Sequence, residues 1–285
     1  MELTTVILTK NEEKNIERCL KSVDFCDEVI IIDDFSEDKT LERIRNKYKI
    51  LIFKRKINGD FARQRNFGLE KAKGEWILFV DADEEVSEEL KKEIQVCLHR
   101  HSGERSDSRI VAKNNDSGQA GMTEETAYYL KRRDFWWGGE LRHGEIEKLR
   151  NRGIIRLVRK GSGKWIGKVH EEFKLKSQTI NTKHLTNFID HYPHPTVKDF
   201  LEEVNSYSTL RAKELLGNGT KTNIFEIVSY PLGKFLLTYF IKLGFLDGPA
   251  GFAYAFFMSF HSFLVRAKLF QYTNVSKPQR HSGER

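Results

Sequence analysis

Four carboxylates fall within the five positions 81–85 of "VDADEEV", directly behind the apolar run "EWILF". Asp33 and Asp34 close the run "EVIII" in the same way, and Thr9-Lys10-Asn11-Glu12 closes "TTVIL". An Asp-x-Asp at the end of a strand can direct one carboxylate to a sugar hydroxyl and the other to a divalent cation. Mg²⁺ and Mn²⁺ take oxygen ligands and share them with substrate phosphates, and a cation so held neutralises the charge of a leaving diphosphate. Asp81 and Asp83 are therefore expected to face a ligand. Glu84 and Glu85, with Ser87, Glu88 and Glu89 beyond, are expected to open the next helix, whose positive end favours them. One acidic pair would read as a solvated loop. Three polar clusters at three equivalent strand ends read as one shared site.

The elements that must position these groups alternate. "TTVIL" (4–8), "EVIII" (28–32), "ILIF" (50–53) and "EWILFV" (75–80) read as strands, the second buried on both faces. Between them, Ile16, Cys19, Leu20 and Val23 keep helical spacing. Ser36 reads as the N-cap of a helix starting near Lys39, and "FARQRNFGLEKAKG" (61–74) reads as a helix stopped by Gly74. Strand–helix alternation implies an α/β fold with a mostly parallel sheet flanked by helices. Ligands of such sheets bind beyond the carboxyl ends of the strands, where the polar clusters lie. A Gly-x-Gly-x-x-Gly after the first strand is absent, as is a Walker A lysine loop, which argues against dinucleotide-dependent dehydrogenases and P-loop enzymes.

"VILTKNEEKNIERCLKSV", "EVIIIDDFSEDKT" and "NGDFARQRNFGLEKAKGEWILFVDADE" together resemble the family 2 glycosyltransferases of the GT-A (Rossmann-like) fold, most of all the bacterial enzymes of lipopolysaccharide core and surface-glycan assembly. The resemblance is strong over residues 1–95 and weaker to the carboxyl end. It implies a nucleotide-sugar pocket lined by Thr9, Asn11 and Glu12, with Asp33 or Asp34 at the base, Arg63 near the base or diphosphate, and Asn66 nearby. It also implies Asp81 on the ribose or sugar, and Asp83 on an Mg²⁺ or Mn²⁺ ion that Asp81 and His170 also contact. A Val-His-Glu stretch lies at the corresponding point of the related enzymes, so the resemblance makes Glu171 the general base that takes the acceptor proton, with Glu145 and Glu172 as rivals. Two departures stand out. Phe35 sits where the family has Gly before the Ser, and Arg152 sits where an acidic residue is expected.

Residues 100–126 are polar and read as a flexible insertion. "RHSGER" occurs at 100–105 and again at 280–285, without a physical account. Tyr128, Tyr129, Phe135, Trp136 and Trp137 cluster beside Lys131, Arg132 and Arg133; aromatic faces stack on sugars and arginines grip phosphates, and a packed strand and turn explains the aromatics equally. Residues 191–223 read as a connector helix with Phe200, Val204 and Tyr207 on one face. Half of the twenty phenylalanines lie in 225–270. Within 224–246, Glu226, Lys234, Thr238 and Lys242 form one polar stripe on an apolar helix bent at Pro231, which suits a membrane interface. The run 249–265 has 17 residues without a charge, short of the roughly 20 a spanning helix needs.

The 285 residues suffice for an α/β domain with an appendage, and 39% apolar content with a mean hydropathy of −0.54 argues against a polytopic membrane protein. Three cysteines make neither a metal pattern nor a disulfide framework. No signal peptide is expected from "MELTTVILTKNEE". The net charge of +7 fits an anionic partner; acidic strand ends argue against nucleic acid. The expected organisation is a nucleotide-sugar half (1–99), the insertion (100–126), an acceptor half (127–190), the connector (191–223), a helical membrane-associating tail (224–272) and a disordered end (273–285). The resemblance implies an inverting, metal-dependent transfer from a nucleoside-diphosphate sugar, UDP-linked, to a saccharide or lipid-linked acceptor in cell-envelope glycan synthesis, peripheral on the cytoplasmic face of the membrane. The competing readings are a metal-dependent nucleotidyltransferase or phosphohydrolase, and a non-catalytic membrane-anchored protein that binds sugar nucleotides.

Overall fold

The computed structural model of the chain describes residues 2–44, 50–111, 125–168, 171–176, 181–193 and 196–274, and the side chains of all of these except 101–111. The elements run β1 (Leu3–Thr9), α1 (Ile16–Ser22), β2 (Glu28–Asp33), α2 (Thr40–Ile44), β3 (Ile50–Lys54), α3 (Phe61–Lys71), β4 (Trp76–Asp81), β5 (Glu84–Val86) and α4 (Glu88–Val111). There follow β6 (Glu125–Trp136), β7 (Gly139–Leu141), α5 (Glu147–Arg152), β8 (Ile154–Arg159), β9 (Gly163–Ile166), β10 (Glu172–Leu175) and β11 (Asn181–His191). Helices α6 (Val197–Gly217), α7 (Ile224–Leu236) and α8 (Gly248–Asn274) complete the order. The chain divides into two compact units: residues 1–133 with 148–192, and residues 134–147 with 193–285.

In the first unit the strands run in the order β3-β2-β1-β4-β8-β6-β11-β5. The first four pair in parallel, as the strand–helix alternation predicts. The later part of the chain adds antiparallel partners, β8 on β4 and β5 on β11, and β9 and β10 form a separate hairpin. The fold is thus the expected α/β sheet flanked by helices, GT-A-like, with its parallel half first. Successive strand residues point to opposite faces, and both faces are buried. Ile7, Ile31, Leu78 and Val80 pack with α1 and α4 on one side. Val6, Ile30, Ile32, Ile77 and Phe79 pack on the other, with Trp165 and Phe173 of the hairpin. Each such buried side chain contributes about 1.5–3 kcal/mol. The parallel register sets Thr9 against Asp33 and Leu8 against Asp81, so three strands end at one level.

Three local expectations are corrected. Gly74 does not stop α3 through a left-handed turn, since the helix ends at Lys71. Its hydrogen side chain matters because a Cβ there would lie 2.6 Å from the Thr4 nitrogen. Ser36 does not cap α2: its hydroxyl donates to Asp33 Oδ1 at 2.5 Å, and Asp38 Oδ1 accepts the Thr40 N–H at 2.9 Å. Helix α4 continues to Val111, into the segment expected as a loop. Residues 112–124 of that segment, and the second "RHSGER", lie outside the described residues.

The second unit joins the β6–β7 hairpin end to the helical tail, so residues 134–147 belong with the tail and not with the expected acceptor half. The reason is packing: Trp136, Leu141 and Ile146 share a core with Phe200 and Val204 of α6, and with Tyr254 and Phe257 of α8. The buried face of α6 follows a four-residue step, Phe200, Val204, Ser208 and Ala212, where a face through Tyr207 is expected. The polar stripe of α7 and the turn after it is turned inward: Lys234 pairs with Glu145, and Thr238 is buried. The apolar side faces out, with Phe225 77%, Ile241 73% and Ile224 69% exposed. Among the described residues, Ile224–Ile241 is the stretch whose length and composition suffice to cross a membrane. The 249–265 run is not, because its Gly, Ala, Ser and His residues dilute its hydropathy.

Candidate active site

The carboxyl ends of β1, β2 and β4 carry the polar clusters, and the loops between them are cross-linked. Asn11 adopts a left-handed φ of 56°. Its N–H donates to Ser36 Oγ at 2.9 Å, and its Oδ1 accepts the Glu37 N–H at 2.8 Å. The Glu12 N–H donates to Thr40 Oγ1 at 2.7 Å, and Glu12 Oε2 accepts from Asn15 at 2.8 Å. Asp33 is fully buried and receives both the N–H and the hydroxyl of Ser36. Asp34 accepts from Lys10 Nζ and from the Ile57 N–H, each at 3.0 Å. Thr9 Oγ1 is buried without a hydrogen-bond partner. Two acidic groups that read as ligand contacts, Asp33 and Asp34, thus also shape the loops that would hold the ligand. Phe35, directly after them, takes a φ of 55°. This left-handed conformation favours glycine, which gives the departure at this position a physical meaning.

The centre of the site is an ion network around Asp81. Arg65 Nη2 donates to both of its oxygens at 2.9 Å, and Arg156 Nη2 donates to Oδ2 at 2.9 Å. Arg65 Nε donates to Glu171 Oε1 at 2.9 Å, so one guanidinium joins Asp81 to the candidate base. Glu84 Oε2 accepts the Asp81 N–H at 2.9 Å, and Glu84 Oε1 lies 3.3 Å from Arg156 and 3.8 Å from Arg132. His191 Nε2 stands 3.2 Å from Asp83 Oδ2. Burial opposes ionisation of Asp81, but Arg156 and Arg65 outweigh it and hold the carboxyl well below the usual carboxylate range. Burial likewise opposes Asp83, and His191 outweighs it and lowers that group too. For Glu84 burial dominates and pushes the carboxyl up, against the pull of Arg156. Arg156 is raised: burial works against its charge, and Asp81 and Glu84 more than offset it.

Asp81, Asp83 and Glu171 are therefore brought together, directly or through Arg65. Several other expectations change. Both Asp81 oxygens are engaged by guanidiniums, so Asp81 does not fit a metal ligand; Asp83, beside His191, fits one. A cation that keeps substrate phosphates among its ligands needs only one or two protein groups, and the Asp83 carboxylate supplies the oxygen donor that Mg²⁺ or Mn²⁺ takes. Among the described residues no cluster of three such ligands exists. His170 lies outside the described residues. Arg63 is exposed, and its backbone N–H bonds to the Asp60 cap. Two residues along a helix turn the side chain by about 200°, so Arg65 points where Arg63 does not. Asn66 is held by the backbone of Trp165 at both ends of its amide, at 2.8 and 2.9 Å. Glu145 lies in the second unit on Lys234, and Glu172 is exposed on β10. Glu84 and Glu85 form β5 instead of opening α4, with His191 opposite Glu84.

Sequence reasoning missed Arg65, Arg156, Glu84 and His191. A signal existed for Arg156: a charge inside "IIRLVR", on a strand otherwise apolar, must find a partner if the strand is buried. His191 had none, because its register against β5 comes from pairing between distant segments.

The family described as "Glycosyl transferase family 2" matches residues 4–147. An uncharacterized glycosyltransferase of Rickettsia typhi is 28% identical over 94% of this chain and 86% of its own length. The lipopolysaccharide core biosynthesis glycosyltransferase LpsC of Rhizobium meliloti is 25% identical over 95% of this chain and 93% of its own. The crystal structure of S. aureus TarS in complex with UDP-GlcNAc aligns with 96% of this chain and 92% of that one, at 16% identity and a TM-score of 0.46. With half of its length, residues 4–147, matched by the family, the chain belongs to glycosyl transferase family 2.

Proposed function

We propose that this glycosyltransferase moves a sugar from a nucleoside-diphosphate sugar, UDP-linked, to a saccharide or lipid-linked acceptor of the cell envelope, with inversion. The observation that carries the reading is the Asp81–Arg65–Glu171 chain beside Asp83 and His191 at the carboxyl end of β4. Glu171 has one oxygen on Arg65 Nε and would take the acceptor hydroxyl proton on its second oxygen. As that proton transfers, the acceptor oxygen bonds to the anomeric carbon and the bond to the diphosphate breaks, its electron pair leaving with the diphosphate oxygen. Asp81, fixed by two guanidiniums, offers a rigid acceptor to donor hydroxyls, which favours catalysis through orientation. Arg65 and Arg156 add positive charge where the leaving group develops negative charge. Asp83, oriented by His191, is the residue that would hold Mg²⁺ or Mn²⁺, which supplies charge neutralisation of the leaving diphosphate when bound.

The acceptor role draws on LpsC, whose name places it in lipopolysaccharide core synthesis. A peripheral position on the cytoplasmic membrane face draws on the outward apolar side of α7 and on the groove of about 280 Å³ between α7 and α8, lined by Ile227, Pro231, Phe256 and Phe260 among others. The test of the chemistry is Glu171→Gln. Release of nucleoside diphosphate with acceptor should fall by about 10²–10⁴-fold while UDP-sugar binding by calorimetry is kept. Near-normal turnover in this variant would exclude Glu171 as the base.

A further inference from the structure

Helices α7 and α8 of the second unit lie side by side, joined where Ser259 Oγ donates to the Pro231 carbonyl at 2.7 Å. The groove between them is lined by Ile227, Pro231, Phe256, Phe260 and Phe263 among others. Ser259 is its one polar lining side chain, and its hydroxyl already has that partner. Such a groove offers little to a polar ligand and suits a hydrocarbon chain. Arg266 follows Ser259 by seven residues, two helical turns, so both point the same way from α8. It follows the groove residue Phe263 by one turn.

The Arg266 guanidinium lies over the Tyr230 ring, 3.9 Å from its centroid. The ring holds the cation by its face, and the N–H donors lie around the edge. Among the described residues no carboxylate or other acceptor engages those donors, Glu226 one turn before Tyr230 included. Arg266 is half-buried, so it has lost hydration that only an oxygen acceptor restores. Tyr230, Val228 and Leu232 beside it are 48%, 63% and 58% exposed, on the outward apolar side of α7. An apolar groove therefore ends at a fixed, unanswered guanidinium. The ligand that satisfies both carries a hydrocarbon chain and a phosphate, which the planar guanidinium grips with two parallel bonds.

We propose that the α7–α8 groove and Arg266 form a subsite for one membrane phospholipid, its acyl chain along the groove and its phosphodiester on the guanidinium. The inference rests on the peripheral membrane position proposed above and names the group that this position engages. The full chain is titrated with dihexanoyl phosphatidylglycerol, kept monomeric, at constant ionic strength and followed by thermal shift. A rise in melting temperature is expected, with affinity about tenfold weaker in Arg266→Gln and intermediate in Arg266→Lys. It should be unchanged in Lys221→Gln, which removes an exposed cation outside the groove. A single cooperative transition near the wild-type midpoint shows that each variant is folded. Equal affinity in Arg266→Gln overturns the proposal, as does an equal Arg266-dependent shift with inorganic phosphate, which would mean a bare anion site. Binding that requires UDP would assign the groove to a lipid-linked acceptor. A lipid-free dimer that Phe263→Ser returns to monomer would assign it to a second copy of the chain. Either result overturns the proposal. Phosphatidylglycerol vesicles separate the subsite from the membrane reading. Vesicle binding by the wild type, with equal short-chain affinity in Arg266→Gln, keeps the membrane position and removes the subsite. An Arg266-dependent short-chain response without vesicle binding keeps the subsite and removes the membrane position.

Discussion

Arg156 is 4% exposed and neutralises two carboxylates, Asp81 and Glu84. Removing one partner of a buried pair leaves charge uncompensated, which costs about 3–5 kcal/mol. Arg156→Met should lose that much in urea unfolding, and adding Glu84→Gln should recover part of it. The pH dependence follows from the directions of the shifts. Asp81 and Asp83 lie below their ordinary values in the folded chain. Their contribution is therefore complete above the unfolded carboxylate value of about 4 and is lost as pH falls through the folded values. Glu84 is raised and has the opposite sign: its contribution is present below its unfolded value and is lost as pH rises through the folded one. Glu84 acts above about pH 4, so below that pH the two Asp groups alone set the sign, and the urea midpoint falls as pH drops further. In Asp81→Asn that acid slope should flatten; an unchanged slope would mean the ion network is not what stabilises the site. At this scale the carboxylates were legible in the sequence, because four acids behind an apolar run demand an explanation. Their partners were not, because each comes from a separate element.

The loop after β2 shows what an element imposes on a residue. Asp33 folds the chain back through Ser36, and Phe35 is left at a φ of 55° and 45% exposed. A left-handed conformation costs a residue with a Cβ about 1–2 kcal/mol, and glycine returns about 0.5–1 kcal/mol of that in chain entropy. Phe35→Gly should therefore raise stability by about 0.5–1 kcal/mol in urea unfolding. The Lys56 ammonium, 5.7 Å from the ring, offsets little of this at so exposed a position. A loss of stability would mean that the ring holds the loop in a way its exposure does not suggest. Helix α3 makes the same point about direction. Its sequence offers Arg63 and Arg65 alike, and the face buried by Ala62, Arg65 and Gly68 decides that Arg65 enters the site.

For the whole molecule, the question is what covers the outward apolar face of α7. Phe225, Val228 and Leu232 are 77%, 63% and 58% exposed, so replacing them leaves the packing of the second unit unchanged. Phe225→Ser/Val228→Ser/Leu232→Ser should keep its melting temperature and lose co-sedimentation with anionic vesicles. Binding that persists would place the membrane contact elsewhere or remove it. Net charge works in the same direction, since the chain's +7 favours an anionic surface. The division into units cuts across the expected segments because core packing assigns Trp136 to the tail helices, although it lies on a strand that begins in the sheet.

The order of strands and helices to β4, the level at which the acidic clusters sit and the apolar character of the tail were determined by local pattern. Periodicity and composition act over a few residues, and parallel strands joined by helices leave little choice of register. The tertiary structure alone decided that Arg65 and Arg156 clamp Asp81, that His191 stands beside Asp83, and that Glu84 lies buried in a short strand. The Arg65 contact depends on which face of α3 packs on the sheet; the others depend on antiparallel pairing added by the later half of the chain, between residues about 70–110 positions apart. No periodicity within a segment encodes which distant charge will meet it.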